Sequence, residues 1–154
     1  MPDPMRREAF SLLELIAVVA VLGVLAVAAV ARFGPAPLKN AAARADARRL
    51  TLDLLQTQRR SIATGDNHYL EFTLNGSAPV GYTLYRRLSG GGTQAVDGYR
   101  EFAQGETITT THNQLEYNFS GAALAAYQVS FAGPDQRWRV TVIPVTGAAR
   151  VDTY

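Results

Sequence analysis

Few side chains in this 154-residue sequence could act as catalysts or metal ligands. It has two histidines, His68 and His112, and no cysteine. Neither histidine lies in an H-E-x-x-H, H-x-E or histidine-rich segment, which would place two metal ligands together. No serine lies in a G-x-S-x-G motif beside a histidine and a carboxylate that could activate it. The sequence therefore gives no support to zinc catalysis or hydrolysis, and thiol chemistry, disulfides and iron–sulfur clusters are excluded.

Two further patterns lack the features of a ligand site. The glycine run at 90–92 has no lysine of a phosphate-binding loop and does not begin a predicted helix. The carboxylates in predicted turns lack the alternating spacing of a calcium loop; they are Asp66, Asp97, Asp135 and Asp152. We therefore predict no cofactor, no metal and no enzymatic activity.

One carboxylate, Glu14, lies inside an apolar run. Residues 15–31 contain no charge, and residues 10–31 form a 22-residue apolar stretch that only Ser11 and Glu14 interrupt. About 20 helical residues cross a hydrocarbon layer of about 30 Å, so the run predicts a membrane-spanning helix. A carboxylate at mid-bilayer costs about 2.5 to 3.5 kcal/mol, so Glu14 needs a partner or must lie near headgroup water.

Cleavage between Ala9 and Phe10 would supply such a partner. No Lys or Arg follows Glu14 before Arg32. A new amine at Phe10 would lie four residues from Glu14, on the same face of a helix. The competing interpretation is that Glu14 marks only the polar edge of the run.

A secretory signal peptide is the alternative for the whole segment. Arg6 and Arg7 form a basic start, and the triplets at 26–28 and 29–31 have the small-residue pattern of a cleavage site. In that case the mature protein is a soluble secreted β-domain that binds a ligand through its loops.

The segment from Arg7 to Leu15, with the apolar helix after it, resembles the N-terminal processing and methylation signal of type IV pilins and type II secretion pseudopilins. The resemblance implies that a prepilin peptidase cuts after Ala9 and N-methylates Phe10. It also implies that Glu14 assists assembly. Ala9 replaces the usual glycine, and the prolines of Gly34-Pro35-Ala36-Pro37 come later than the family's usual proline.

A second helix is predicted after these prolines, with its end near Ala63 because Thr64-Gly65 supplies a stop. Apolar residues at three-, four- and seven-residue spacing predict the face that covers a sheet. They are Leu38, Ala42, Ala45, Leu52, Leu55 and Ile62.

Beyond residue 65, alternating runs predict β-strands. They span residues 69–74, 82–87, 106–111, 115–119, 127–131 and 137–143. Alternation predicts one buried face; its members include Leu70, Phe72, Leu74, Trp138, Val140 and Val142. The separating turns are short, so we expect antiparallel pairing.

The predicted fold class is α+β and pilin-like. A long N-terminal helix, with a membrane-spanning half and an amphipathic half, packs on an antiparallel β-sheet head. The predicted domains are a leader peptide at 1–9, a transmembrane or filament-core helix at 10–33, an amphipathic helix at 34–64 and the β head at 65–154.

The head also resembles particular branches of the family. Residues 54–65, 118–121 and 143–151 resemble parts of H-type minor pseudopilins and their fimbrial T-type relatives. Residues 82–87 also suit minor pilins of the mannose-sensitive haemagglutinin type. The resemblance implies a structural subunit of a type II secretion or type IV pilus machine. Its implied partners are other pilin or pseudopilin subunits, prepilin peptidase and inner-membrane lipid.

Charge is unevenly distributed along the chain. Residues 32–64 hold seven basic and two acidic residues, whereas residues 65–154 hold six basic and eight acidic residues. The basic helix could contact anionic lipid or DNA, which would suit a DNA-uptake pilin, but no aromatic residue is interleaved to stack a base. The basic residues that follow the apolar run favour a cytoplasmic head by the positive-inside rule, whereas the processing signal implies a head outside the cytoplasm. We follow the signal and expect a single-pass inner-membrane protein with a periplasmic head.

Overall fold

A computed structural model describes residues 11–154 of the chain. They fall into two compact units, one ending at Pro35 and the other comprising Ala36–Tyr154. The first unit contains helix α1, Leu12–Phe33, and the second begins with helix α2, Ala36–Thr64.

Helix α1 has a defined cap at each end. The Ser11 hydroxyl accepts a hydrogen bond from the backbone N–H of Glu14 at 3.2 Å, which satisfies one of the unpaired amides of the first turn. At the other end Gly34 has a φ of 56°, and its N–H donates to the carbonyl oxygen of Val30 at 3.0 Å. Glycine adopts this left-handed conformation without the strain that a Cβ would add.

The second unit contains two antiparallel sheets. The strands are β1 His68–Asn75, β2 Ala78–Arg87, β3 Thr93–Ala95, β4 Arg100–Glu101, β5 Thr107–Thr110, β6 Gln114–Tyr117, β7 Tyr127–Ala132, β8 Arg137–Val142 and β9 Ala149–Thr153. The first sheet has the order β3-β2-β1-β6, with β4 also paired to β2, and the second has the order β5-β7-β8-β9. Helix α2 contacts strands of both sheets, so the predicted α+β class is confirmed.

The buried face of α2 is not the predicted stripe. Leu38, Leu52 and Ile62 are exposed, which makes that prediction wrong. The residues that are buried recur every three or four positions and are mostly small. They are Ala43, Asp46, Ala47, Leu50, Leu54, Thr57 and Ser61.

Three of these buried residues, Asp46, Thr57 and Ser61, are polar or charged, and the hydroxyls of Thr57 and Ser61 both have partners. The Thr57 hydroxyl donates to the carbonyl oxygen of Asp53 at 2.6 Å. The Ser61 hydroxyl donates to the carbonyl oxygen of Thr57 at 3.1 Å and accepts from the backbone N–H of His68 at 3.2 Å. Because these bonds replace those with water, both residues can be buried where α2 approaches the sheets.

The predicted inward face of the strands is confirmed with one exception. Leu70, Phe72, Trp138, Val140 and Val142 are buried in the core. Leu74 is exposed, because the pairing of β1 with β2 shifts register between Thr73 and Leu74. Such a shift moves the residues beyond it off the face set by the alternation.

An ion pair attaches the β4 segment to α2. The Arg100 guanidinium lies 2.7 Å from both carboxylate oxygens of Asp53, and the Tyr82 hydroxyl donates to the same carboxylate at 2.5 Å. Burial and the bond to Asp53 raise the pKa of Tyr82 above its ordinary value. The tyrosine therefore remains a neutral donor to the carboxylate.

Glu106, just before β5, is a buried carboxyl group without a hydrogen bond. Neither of its carboxylate oxygens has a partner among residues 11–154. The nearby carboxylate of Asp46 accepts from the backbone N–H of Ala103 at 2.6 Å and pairs with Arg49 at 2.8 Å. Burial first, and the charge of Asp46 second, raise the pKa of Glu106 to about 7.

Leu50 and Leu52 lie two residues apart on α2 and give a matched test of the helix packing. Leu50 is fully buried and Leu52 is 66% exposed. Leu50→Ala should lower the free energy of unfolding by about 2–5 kcal/mol, and Leu52→Ala should change it by less than about 0.5 kcal/mol. Urea unfolding can be followed by fluorescence of Trp138, which is the single tryptophan and is buried. Equal losses would contradict the assigned face.

The raised pKa of Glu106 predicts a pH-dependent stability. Its carboxyl stays protonated in the folded chain while it ionises in the unfolded chain from its ordinary pKa of 4.5. Ionisation therefore favours unfolding, and stability should fall as pH rises from about 4.5 to beyond 7. Glu106→Gln should remove this loss and be more stable than the parent at pH 8, with no such gain at pH 4.

The same substitution at Glu101 is the control, because that side chain is exposed. Glu101→Gln should leave the pH profile of unfolding unchanged. A Glu106→Gln profile parallel to that of the parent would show that Glu106 ionises normally in the folded chain.

Candidate membrane segment and assembly site

Helix α1 presents an apolar surface whose only charged residues, Glu14 and Arg32, lie in its first and last turns. Residues Leu12–Arg32 are long and apolar enough to cross a membrane, and their side chains are exposed. Twenty-one residues at about 1.5 Å per residue span about 30 Å, the thickness of a bilayer's hydrocarbon core. Length and composition fit a membrane span, and they fit a cleavable signal sequence as well.

Glu14 lies in the first turn of α1. A carboxylate there interacts favourably with the positive end of the helix dipole. Among residues 11–154 no cation lies within 4.0 Å of it. The two predicted processing residues, Ala9 and Phe10, lie outside the described residues. Their roles, and that of Glu14 in assembly, therefore remain predictions.

Ser11 adds a structural role for Glu14 that the sequence reasoning missed. The Ser11-x-x-Glu14 spacing is that of a capping box, in which the serine side chain bonds to the backbone of the fourth residue and the glutamate side chain can reach back. The first of these bonds is formed. The signal was readable from the sequence, and it means that Glu14 can matter through the helix cap as well as through its charge.

Two of the basic side chains on α2 form ion pairs within the second unit. Arg49 pairs with Asp46 at 2.8 Å, and Arg60 pairs with Asp97 at 2.8 Å. The remaining basic residues of α2 have no ion-pair partner among residues 11–154, and their side chains are exposed; they are Lys39, Arg44, Arg48 and Arg59. The basic field is therefore smaller than the composition of the segment indicates.

The two histidines have local structural partners. His68, the first residue of β1, is buried, and its Nδ1 lies 3.1 Å from the carbonyl oxygen of Asp66. His112 lies in a turn with its Nδ1 3.0 Å from the Thr111 hydroxyl, and it packs edge-on against Tyr127. Within residues 11–154, no three acidic or histidine side chains converge on a point where a metal could bind.

Each carboxylate of the predicted turns also has a nearby partner. Asp66 pairs with Arg86, Asp97 with Arg60, and Asp152 with Arg150. The fourth, Asp135, accepts from the Asn40 side-chain amide at 3.1 Å. The contacts of Asp66, Asp97 and Asp135 join separate parts of the chain, whereas Asp152 and Arg150 are neighbours on β9.

The N-terminal segment matches a known family model. Residues 4–30 match the prokaryotic N-terminal methylation motif. This range contains Ala9, Phe10 and Glu14 and most of α1. The sequence has no significant match among curated proteins.

The fold is similar to that of a solved pseudopilin, the minor pseudopilin EpsH from the type 2 secretion system of Vibrio cholerae. One EpsH structure is 19% identical, with a TM-score of 0.60, over 71% of this chain and 95% of EpsH. A second, a crystal structure, is 15% identical, with a TM-score of 0.60, over 75% of this chain and 97% of EpsH. At these identities the likeness shows the fold. The chain thus joins an N-terminal methylation motif to a pseudopilin-like fold, and together they support a pilin-like or pseudopilin-like structural protein.

Proposed function

We propose that the protein is a minor pseudopilin or minor pilin, a non-enzymatic subunit of a type II secretion or type IV pilus machine. The observation that carries the proposal is the order of parts along the chain. A methylation motif at residues 4–30 overlaps a span-length apolar helix, and a pseudopilin-like head follows. The similarity to a minor pseudopilin of a type 2 secretion system favours the secretion machine.

In this proposal a prepilin peptidase cuts between Ala9 and Phe10 and methylates the new amine. Helix α1 then holds the subunit in the inner membrane as a single span, with the head in the periplasm. During assembly the apolar side chains of α1 leave lipid for the helices of neighbouring subunits. This exchange conserves the apolar environment, so packing and polar contacts decide between storage and assembly.

Glu14 is the polar group that would make the packing of α1 among neighbouring helices specific. In apolar surroundings an unpaired carboxylate is costly, and an ion pair is stronger than in water. The amine of Phe10, on the processed chain or on a neighbouring subunit, would be its partner. Misaligned subunits would leave the carboxylate unpaired, so Glu14 would select the axial register of α1 in the filament.

The capping-box spacing provides a test that separates charge from helix capping. Glu14→Gln removes the charge but keeps a residue that capping boxes accept. Ser11→Ala removes the hydroxyl cap and keeps the charge. We expect Glu14→Gln to reduce the amount of subunit in filaments sheared from the native host at least about tenfold, the effect of about 1.4 kcal/mol. Ser11→Ala should reduce it less than about threefold.

Processing and membrane insertion serve as internal controls for both variants. Each should still be recovered from the membrane fraction with the mass of the processed chain. If Glu14→Gln assembles as well as the parent, the register role is wrong. If Ser11→Ala is as defective as Glu14→Gln, assembly is not specific to the charge of Glu14, because loss of the helix cap alone has the same effect.

A further inference from the structure

A cleft at the start of α2 has the chemistry of an anion site. Its volume is about 500 Å³, which is within the range of small-molecule sites. Three walls enclose it: the first turn of α2 with Lys39, the turn before β5 with Gly105 and Thr107, and the β7–β8 hairpin with Asp135 and Arg137. The side chains therefore present an ammonium, a guanidinium, a hydroxyl and one carboxylate.

The cations of this cleft are available for a ligand. Neither Lys39 nor Arg137 has an ion-pair partner within residues 11–154. The single carboxylate, Asp135, accepts a hydrogen bond from the Asn40 amide at 3.1 Å. The formal charge of the cleft is thus positive, and its acidic group is directed to a neighbouring residue.

The other large cavities of the head lack this property. One of about 440 Å³ is lined by Arg60 and Arg86, but these pair with Asp97 and Asp66. Another of about 310 Å³ contains Glu101 and Glu106 and no basic residue. Of these three cavities, the cleft beside Lys39 is therefore the best suited to an anion.

Asn40 holds two walls of the cleft together. Its side-chain amide donates to the Asp135 carboxylate, and its oxygen accepts from the Asp135 backbone N–H at 3.3 Å. Gly133 approaches so closely that a Cβ there would lie 2.4 Å from the Asn40 oxygen. The hairpin and the first turn of α2 are thus fixed to each other, which lowers the entropy lost when a ligand binds.

We propose that this cleft binds the headgroup of an anionic phospholipid. The choice of lipid rests on the proposed function, in which α1 spans the membrane. Lys39 follows Arg32, the end of the candidate span, by seven residues, a chain length of at most about 25 Å. Two exposed cations on one cleft, tethered to the span by so short a chain, can take up a headgroup phosphate, whereas two cations are too few to follow a nucleic-acid backbone.

The test uses the full processed chain in non-ionic detergent. Native mass spectrometry measures its binding of phosphatidylglycerol and of phosphatidylcholine with the same acyl chains. Inorganic phosphate is added as a competitor to distinguish a lipid site from a free-phosphate site. The variant Lys39→Gln/Arg137→Gln removes both cations of the cleft. Arg48→Gln/Arg59→Gln removes the same charge from exposed positions elsewhere on α2.

We expect the parent to prefer phosphatidylglycerol. Each basic residue near an anionic lipid contributes about a fivefold affinity, so the cleft variant should bind phosphatidylglycerol about 30-fold more weakly. Its binding of phosphatidylcholine should not change, and the control variant should lose less than about fivefold.

Three results would overturn the inference. They are an absence of headgroup preference in the parent, a preference retained in the cleft variant, and displacement of the lipid by inorganic phosphate at equal concentration. The same spectra report the N-terminus of the chain. A parent chain that begins at Phe10 but shows no headgroup preference overturns this inference alone, whereas a chain that begins at Arg32 overturns the proposed function and the lipid site with it.

Discussion

The physical constraint on which this molecule depends is the apolar surface of α1. Every side chain from Leu12 to Arg32 is exposed in its own unit, and burying apolar surface is worth about 25 cal/mol per Å². A helix of this composition is costly to leave in water. In the proposed function, membrane storage and filament assembly would each remove this surface from water, and the methylation motif at residues 4–30 supports that proposal.

Helix α2 has a different packing requirement from α1. A helix that contacts two sheets needs a buried face that permits close approach, and Ala43, Ala47 and Ser61 provide it. Leu50 and Leu54 are buried on the same face, whereas Leu38, Leu52 and Ile62 and several basic side chains remain on the outer surface. Arg60 extends from the helix to the carboxylate of Asp97, and Arg49 pairs with Asp46 on the same helix, so part of the charge that suggests a polyanion site stabilises the fold instead. The exposed cations are left for contacts outside the chain.

The sequence predicted the fold class and the segments with strong alternation, because burial on one face leaves a clear period in strands such as Arg137–Val142. It did not predict β3, β4 or β9. These strands are short or lack alternating large apolar residues, and pairing with a neighbour defines them. The stripe on α2 was misassigned because apolar residues recur at helical spacing on more than one face of this helix, and spacing alone does not tell which face packs on the sheets.

The two candidate sites also differ in whether the sequence alone could reveal them. Glu14 was identifiable because its spacing from Phe10 and its apolar context are local features of the sequence. The cleft was not, since Lys39 and Arg137 are brought together only by the packing of the β7–β8 hairpin on the first turn of α2. A site formed by residues far apart in the sequence is therefore found only in the structure, whereas a local motif can be found in the sequence.

The central claim is that the N-terminal segment is a processed and methylated anchor, and intact mass with N-terminal sequencing tests it most directly. The chain should be extracted from membranes of its native host with detergent. The account predicts a protein that begins at Phe10, carries one added methyl group on its amine and ends at Tyr154. A protein that begins at Arg32 with an unmodified amine, recovered outside the membrane, would contradict it and identify residues 1–31 as a removed signal peptide.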